Sequence, residues 1–239
     1  GFISAGIDVF AGSEPESQIT VTNAGAISTT GDNGFGITVF QAVNNGGSFA
    51  VEGAEIANSG SIETAGDRAH GITVGLGFRF EDLNGNGVAD EGEEIPVVGL
   101  VTNSEISNSG SIAVSGFGSR GINISTPDEF TAVGHMIENS GTVTASGERG
   151  SAIWVEGSDN EIVNTVDGTL EATGVDGRGI FFATTEGEQN TFENAGTLSA
   201  SGIAIRGGDG QEVVVNSGTI IGDVNLGAGR DEFSVVLPN

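Results

Sequence analysis

Apolar and polar residues alternate along this chain in short bursts of three to five residues, with a period of two and no helical repeat. The bursts recur in a fixed order. TNAGAI at 22–27, ANSGSI at 57–62, SNSGSI at 107–112, ENSGTV at 138–143, ENAGTL at 193–198 and VNSGTI at 215–220 are one phrase, and VNTVDGTL at 163–170 is a degenerate copy. A Gly-rich turn and a second phrase of the form I-x-V follow each: Ile37 to Val39, Ile72 to Val74, Ile122 to Ile124, Ile153 to Val155, Ile180 to Phe182, Ile203 to Ile205 and Val224 to Leu226. An early copy, Ile7 to Val9, precedes the first Asn phrase. Each unit reads as three strands: one ending at the Asn, a G-x-I segment, and I-x-V. Strands this short bury a core only by stacking unit on unit. The pattern predicts an all-β, single-stranded parallel β-helix (a β-solenoid) of about eight three-strand coils, one domain over 1–239, with a rod ~38 Å long at ~4.8 Å per coil.

The recurring Asn23, Asn58, Asn108, Asn139, Asn164, Asn194 and Asn216 fall at one corner of successive coils. Asn tolerates left-handed backbone angles, and stacked amides hydrogen-bond along an axis, so a structural ladder is expected there.

Composition narrows the partners. Against 33 acidic residues stand 7 basic ones, all Arg, for a net charge of −26, a surface that repels phosphate backbones and anionic headgroups; neither nucleic acid nor a membrane surface is expected as a partner. Glycine contributes 42 of 239 residues, but with only 4 Pro and 36% apolar residues the chain is neither collagen-like nor disordered. The absence of Cys excludes disulfides, thiolate metal sites and Cys nucleophiles. No run of ~18 apolar residues offers a membrane span, and residues 1–20 lack the basic start of a signal peptide, though a chain beginning at Gly1 leaves open an earlier removal.

Insertions at 40–54, 75–104, 125–135, 156–160, 183–190 and 206–211 all follow the third strand and are expected to project from one edge, as a binding face or as tolerated drift. The longest carries Asp82, Asn84, Asn86, Asp90 and Glu93 at positions 1, 3, 5, 9 and 12 of a twelve-residue loop, with Gly87 at 6 and the Val88 carbonyl at 7. That is the spacing with which an EF-hand-type loop wraps one calcium ion in six or seven oxygens. A calcium ion there would tie down the insertion and offset charge repulsion; a solvated acidic loop is the alternative. A single glycine-aspartate turn, 227–233, is a weaker calcium signal.

Outward residues of the third strand read Asp8, Thr38, Thr73, Asn123, Trp154, Phe181, Ala204 and Asn225, mostly polar or small as a wet face requires. Trp154 and Phe181 depart from this on adjacent coils: a cross-coil aromatic pair under a loop, a sugar-stacking platform or a protein contact patch. Arg68, Arg120, Arg149 and Arg178 share the turn before this strand with Asp32, Asp67, Glu148 and Asp176: a surface ladder in which alternating sign relieves stacked like charges is expected, with a basic substrate pocket as the alternative. His70 and His135 have no ligand-like neighbours and read as exposed loop or corner residues.

The N-S-G-T-I phrase with its following G-I-x-V, and the tail GTIIGDVNLGAGRDEF at 218–233, resemble autotransporter passenger domains and related haemagglutinin-like bacterial surface proteins; the inserted loop resembles dockerin-type calcium loops. The resemblance implies an extracellular or bacterial cell-surface location, with adhesion or aggregation as the role. The ends suggest assembly. Gly1, Phe2 and Ile3 resemble a second strand, and Phe233, Val235, Leu237 and Asn239 a first strand finishing at a corner Asn. Joining Asn239 of one copy to Gly1 of the next gives N-G-F-I, one residue short of N-S-G-T-I, so head-to-tail homopolymerisation into filaments is expected, unless the ends are boundaries cut from a longer adhesin. Two other classes stay open. A calcium-dependent module binding glycans or a cell-surface receptor would use Trp154 and Phe181. A polysaccharide-active β-helix enzyme would need a base, and with no Lys, no Tyr and only adjacent acids such as Asp128 and Glu129, a non-enzymatic protein is expected.

Overall fold

A computed structural model describes residues 4–11, 19–41, 50–75, 78–80, 94–96, 100–125 and 133–237. In chain order the strands are β1 (Ser4–Ala11); β2 (Ile19–Asn23), β3 (Ala26–Thr30) and β4 (Gly34–Gln41); β5 (Ala50–Glu52); β6 (Ala54–Asn58), β7 (Ser61–Ala65) and β8 (His70–Gly75); the pair β9 (Phe78–Phe80) and β10 (Glu94–Pro96); and β11 (Leu100–Thr102). There follow β12 (Glu105–Asn108), β13 (Ser111–Ser115) and β14 (Arg120–Ile124); β15 (Met136–Asn139), β16 (Thr142–Ala145) and β17 (Ser151–Glu156); and β18 (Asn160–Asn164), β19 (Thr169–Ala172) and β20 (Arg178–Ala183). The last are β21 (Gln189–Asn194) with β22 (Thr197–Arg206), β23 (Gln211–Asn216) with β24 (Thr219–Asn225), and β25 (Glu232–Val235). The triplet of the sequence phrase is the triplet of the fold.

The chain is a parallel β-helix. First strands stack as β2-β6-β12-β15-β18-β21-β23-β25, third strands as β1-β4-β8-β14-β17-β20-β22, and second strands as β3-β7-β13-β16-β19-β22. Every pairing along these stacks is parallel and in register with the repeat, so Ile56, Ile106, Ile137, Ile162 and Phe192 lie one above another. The three stacks enclose one apolar core, in which those residues meet Ile62, Ile112, Val143, Leu170 and Leu198 from the second strands at 0–1% exposure. β22 and β24 each carry the second and third strands without a break, so the two sheets merge near the C-terminal end.

Two corners are dictated by local chemistry. At the first, each Asn side chain donates to the next: Asn23 to Asn58 (2.8 Å), Asn58 to Asn108 (2.7 Å), Asn108 to Asn139 (2.8 Å), Asn139 to Asn164 (2.9 Å), Asn164 to Asn194 (2.8 Å) and Asn194 to Asn216 (2.7 Å). These amides are buried, and each also donates to a Gly carbonyl of its own corner, which meets the requirement that buried polar atoms be paired. The expected ladder is there, but its backbone is not left-handed. Positive φ belongs to the second corner, where a Gly-x-x turn puts Asn33, Arg68, Gly118, Arg149 and Asp176 at φ 53–65°. Each turn closes by a backbone bond back to its first glycine, as Gly150 N–H donates to Gly147 O at 3.0 Å. Asp32 and Asp67 accept the backbone N–H of the following coil at 2.9 and 3.0 Å, so these acids tie coils together.

The third strand begins with a kink. Both Gly36 and Ile37 face inward, and a Cβ on Gly36 would strike the Ile62 side chain; Gly71, Gly121 and Gly179 repeat this against Ile112, Val143 and Leu198. On two other coils the equivalent place is held by Ala152 and Ala204, fully buried. This corrects the sequence reading of Ala204 as outward: β22 carries a bulge, Ile205 pairs with Ile180, and Arg206 takes the outward place opposite Phe181.

Candidate functional site

The outward column of the third strands is continuous through the pairings: Asp8, Thr38, Thr73, Asn123, Trp154, Phe181, Arg206 and Asn225. It is not the wet face that composition suggests. Thr38 and Thr73 are 0–3% exposed, because β11, from the longest insertion, lies against β4 and β8, and Asn123 is 2% exposed, its amide bonded to Arg120 and Ser125 Oγ. The column emerges from this cover at Trp154 and Phe181, both half-buried.

The expected aromatic pair forms there, edge to face, with ring centroids 4.2 Å apart. A second outward column runs alongside, three residues earlier on each strand, through Phe35, His70, Arg120, Ser151 and Arg178. Arg120 reaches across to lay its guanidinium 3.6 Å from the Trp154 ring centre and donates to Asn123 Oδ1 at 2.6 Å. Trp154 Nε1 donates to Glu156 Oε1 at 2.9 Å. Arg178 and Arg206 stand 5.4 and 5.2 Å from the centre of the Phe181 ring. One ring face of Trp154 is therefore covered by a cation, which favours the cross-coil packing reading over an open sugar platform. Burial draws the Arg120 guanidinium down to about 10, against the pull of Glu156, and burial with the nearby Arg206 and Arg149 charges lowers Arg178 also.

The two histidines are not exposed corner residues. His70 packs against Phe35 at 5.4 Å, and its Nδ1 accepts the Arg120 backbone N–H at 3.1 Å; burial and then the Arg120 charge hold it down to about 3, so it is neutral. His135 is buried, and its Nδ1 accepts from Ser104 N–H at 3.3 Å.

His135 belongs to a second ladder that the sequence reading missed. Ala54 N–H donates to Ser104 Oγ (3.4 Å), Ser104 to His135, His135 to Asn160 Oδ1 (3.0 Å), Asn160 to Asn190 Oδ1 (2.9 Å) and Glu212 to Asp231 Oδ1 (3.0 Å). Ser104, His135, Asn160, Asn190 and Glu212 each lie four residues before a corner Asn, and that fixed offset was the available signal. Glu212 is fully buried and accepts the Thr184 hydroxyl at 2.5 Å. Burial pushes its carboxyl up to about 7; the Thr184 hydroxyl opposes this and the Asp231 carboxyl adds to it. A raised folded pKa in an acid stabilises the fold below the unfolded value near 4.5, and that contribution is lost as pH rises through 7. Glu212→Gln is thus expected to match the parent near pH 4 and exceed it in stability near pH 8, removing a slope of up to ~1.4 kcal/mol per pH unit between those pKa values. Urea midpoints across that pH range measure this, and parallel curves for the two proteins would contradict it.

The candidate calcium ligands Asp82, Asn84, Asn86, Val88, Asp90 and Glu93 lie outside the described residues, between β9 and β10, which pair as an antiparallel hairpin. Among the described residues no three of His, Cys, Asp and Glu gather into a metal group. Asp128 and Glu129 also lie outside the described residues. Of the end residues, Gly1, Phe2, Ile3 and Asn239 lie outside them, while Phe233, Val235 and Leu237 are 43%, 60% and 78% exposed. In the register, Phe233 pairs with Val214 and Val235 with Asn216, so Val235 stands opposite the corner Asn of the coil before. Among the described residues no helix is long and apolar enough to cross a membrane. Compared with family models, with curated proteins and with solved structures, the chain has no match.

Proposed function

We propose that this chain is a non-enzymatic structural and adhesive protein of the bacterial cell surface, whose β-helices stack end to end into an extracellular filament. The observation that carries the reading is the coil stack itself, in which one parallel, in-register contact repeats from β2 to β25. Among the described residues β24 pairs with β22 and β25 with β23, and on them Ile221, Val224, Phe233 and Val235 are 40–60% exposed. Parallel strand edges beside apolar side chains form a template for one more coil of the same register. At the other end, among the described residues, β1, β2 and β3 are each paired along one edge, and Ile7, Val9 and Ile27 are partly buried. A second copy placed head to tail meets both ends with the packing already used between coils, a contact that does not close and so propagates. The Asp82–Glu93 spacing adds calcium as the ion that orders the long insertion, and the phrase resemblance adds the cell-surface setting.

Negative-stain electron microscopy of the purified chain, with calcium and then with chelator, tests the reading. Unbranched filaments are expected, and Val235→Lys, which places a charge on the open edge, is expected to abolish them while leaving the circular dichroism of the monomer unchanged. Filaments lost in chelator tie calcium to assembly. Single short rods under every condition would overturn the polymer reading and assign the open edge to a further coil of a longer adhesin.

A further inference from the structure

Outside the open edge, the most unusual place on the molecule is electropositive. In a chain of net charge −26, four of the seven arginines stand on consecutive coils: Arg120 over Trp154, Arg149 5.8 Å from the Phe117 ring centre, and Arg178 and Arg206 beside Phe181. Arg149, Arg178 and Arg206 converge on a cleft of about 380 Å³, whose remaining walls are Asp176, Gly202 and Ile203. Three guanidiniums against one carboxylate leave the cleft with surplus positive charge. The neighbours do not dissipate it: Arg206 and Arg149 both act on Arg178 in the direction of repulsion. Arg178 and Arg206 both lie beside the Phe181 ring, at 5.4 and 5.2 Å from its centre, which holds the two guanidiniums near each other.

We infer that this cleft binds the carboxylate or sulfate group of an acidic saccharide, with Arg178 and Arg206 as the principal ligands and Arg149 as the flanking charge. Planar guanidiniums present paired donors that match such anions. The spacing favours a saccharide over a peptide. Within the cleft Arg149, in the turn before β17, and Arg206, at the end of β22, are separated by two coil steps, or about 10 Å along the rod. That is near the length of one disaccharide, whereas same-face side chains of an extended peptide recur at about 6.7 Å. The overall negative charge does not forbid the approach, because at physiological salt the field is screened beyond ~8 Å and the local charge decides. The inference is independent of filament assembly: it concerns the side of the rod, not its ends.

The test is titration of the full chain with a fluorescent polygalacturonate oligosaccharide, beside a neutral glucan oligosaccharide and a poly-glutamate peptide of similar length. Binding of the uronate alone is expected, weakening with added salt and at least tenfold weaker in the Arg178→Gln/Arg206→Gln double variant. Arg230→Gln, an exposed arginine remote from the cleft, is expected to bind as the parent does. Should the double variant fold poorly by circular dichroism, the exposed Arg206→Gln alone carries the comparison, with at least a threefold loss expected. Equal binding of the neutral glucan, equal or tighter binding of poly-glutamate, unchanged affinity in the arginine variants, or no uronate binding would each overturn the inference.

Discussion

Asn139→Ala is expected to destabilise the fold by about 3–5 kcal/mol, because the side chain is a link and not an end. Asn139 accepts from Asn108 Nδ2 at 2.8 Å and donates to Asn164 Oδ1 at 2.9 Å and to Gly141 O at 3.1 Å. Removing it takes the shortest acceptor from Asn108 Nδ2 on one coil and the donor from the buried Asn164 Oδ1 on the next, each worth about 1–3 kcal/mol. For a domain of this size that is a fall of roughly 10 °C in melting temperature. Asn216, which accepts from Asn194 but passes the chain of amides to no further Asn, is expected to cost about half as much when changed to Ala. Thermal unfolding of the two variants provides the comparison. Equal losses would mean that the amides act one by one and the ladder has no collective value.

The second large effect is expected at Gly116. Its neighbour across the coil step is the Gly66 carbonyl, and a Cβ at Gly116 would land on that oxygen. Gly66 cannot retreat, since it is pressed in the same way against the Gly31 carbonyl beneath it, and Gly147 follows above. Relief would require parting two coils along the whole corner, so Gly116→Ala is expected to cost roughly 3 kcal/mol or more. Gly118, two residues away, separates sterics from backbone angle. It has φ +65° and nothing within 4 Å of a built Cβ, so Gly118→Ala is expected to cost only about 1 kcal/mol. Gly118→Asn should be milder still, because Asn33 holds the equivalent place at φ 56°. If Gly118→Ala proved the worse of the pair in a urea titration, the close-approach argument would be wrong.

These two corners show why so much of the fold was legible. The phrase N-S-G-T-I is not a loose propensity; the Asn, the Gly and the apolar residue each answer a contact that every coil repeats. Register, strand order and the Trp154–Phe181 pair therefore followed from spacing alone. What did not follow depended on neighbours that do not repeat. Thr38 and Thr73 look like solvent-facing residues until an insertion strand covers them. The ladder through Ser104, His135, Asn160 and Asn190 varies in residue type because its task, accepting one N–H from the coil before, is met by a hydroxyl, an imidazole or an amide alike. Arg206 was hidden by a bulge that shifts alternation within β22. Of the arginine cleft, Arg149 and Arg178 could be grouped at one corner from the repeat, with a basic pocket as the lesser reading, but Arg206 comes from a strand end, and only the coil stack brings it beside them.

The Asn ladder has a further property. All six links run the same way, each Nδ2 pointing toward the next coil on the C-terminal side. Aligned primary amides add as vectors, so the rod carries an axial dipole from its side chains, with the hydrogen-bearing pole toward the C-terminal coil. The two poles are therefore chemically distinct. Any fibre built by stacking such rods would inherit one compass direction along its whole length, and a twofold axis across it would set like poles against each other.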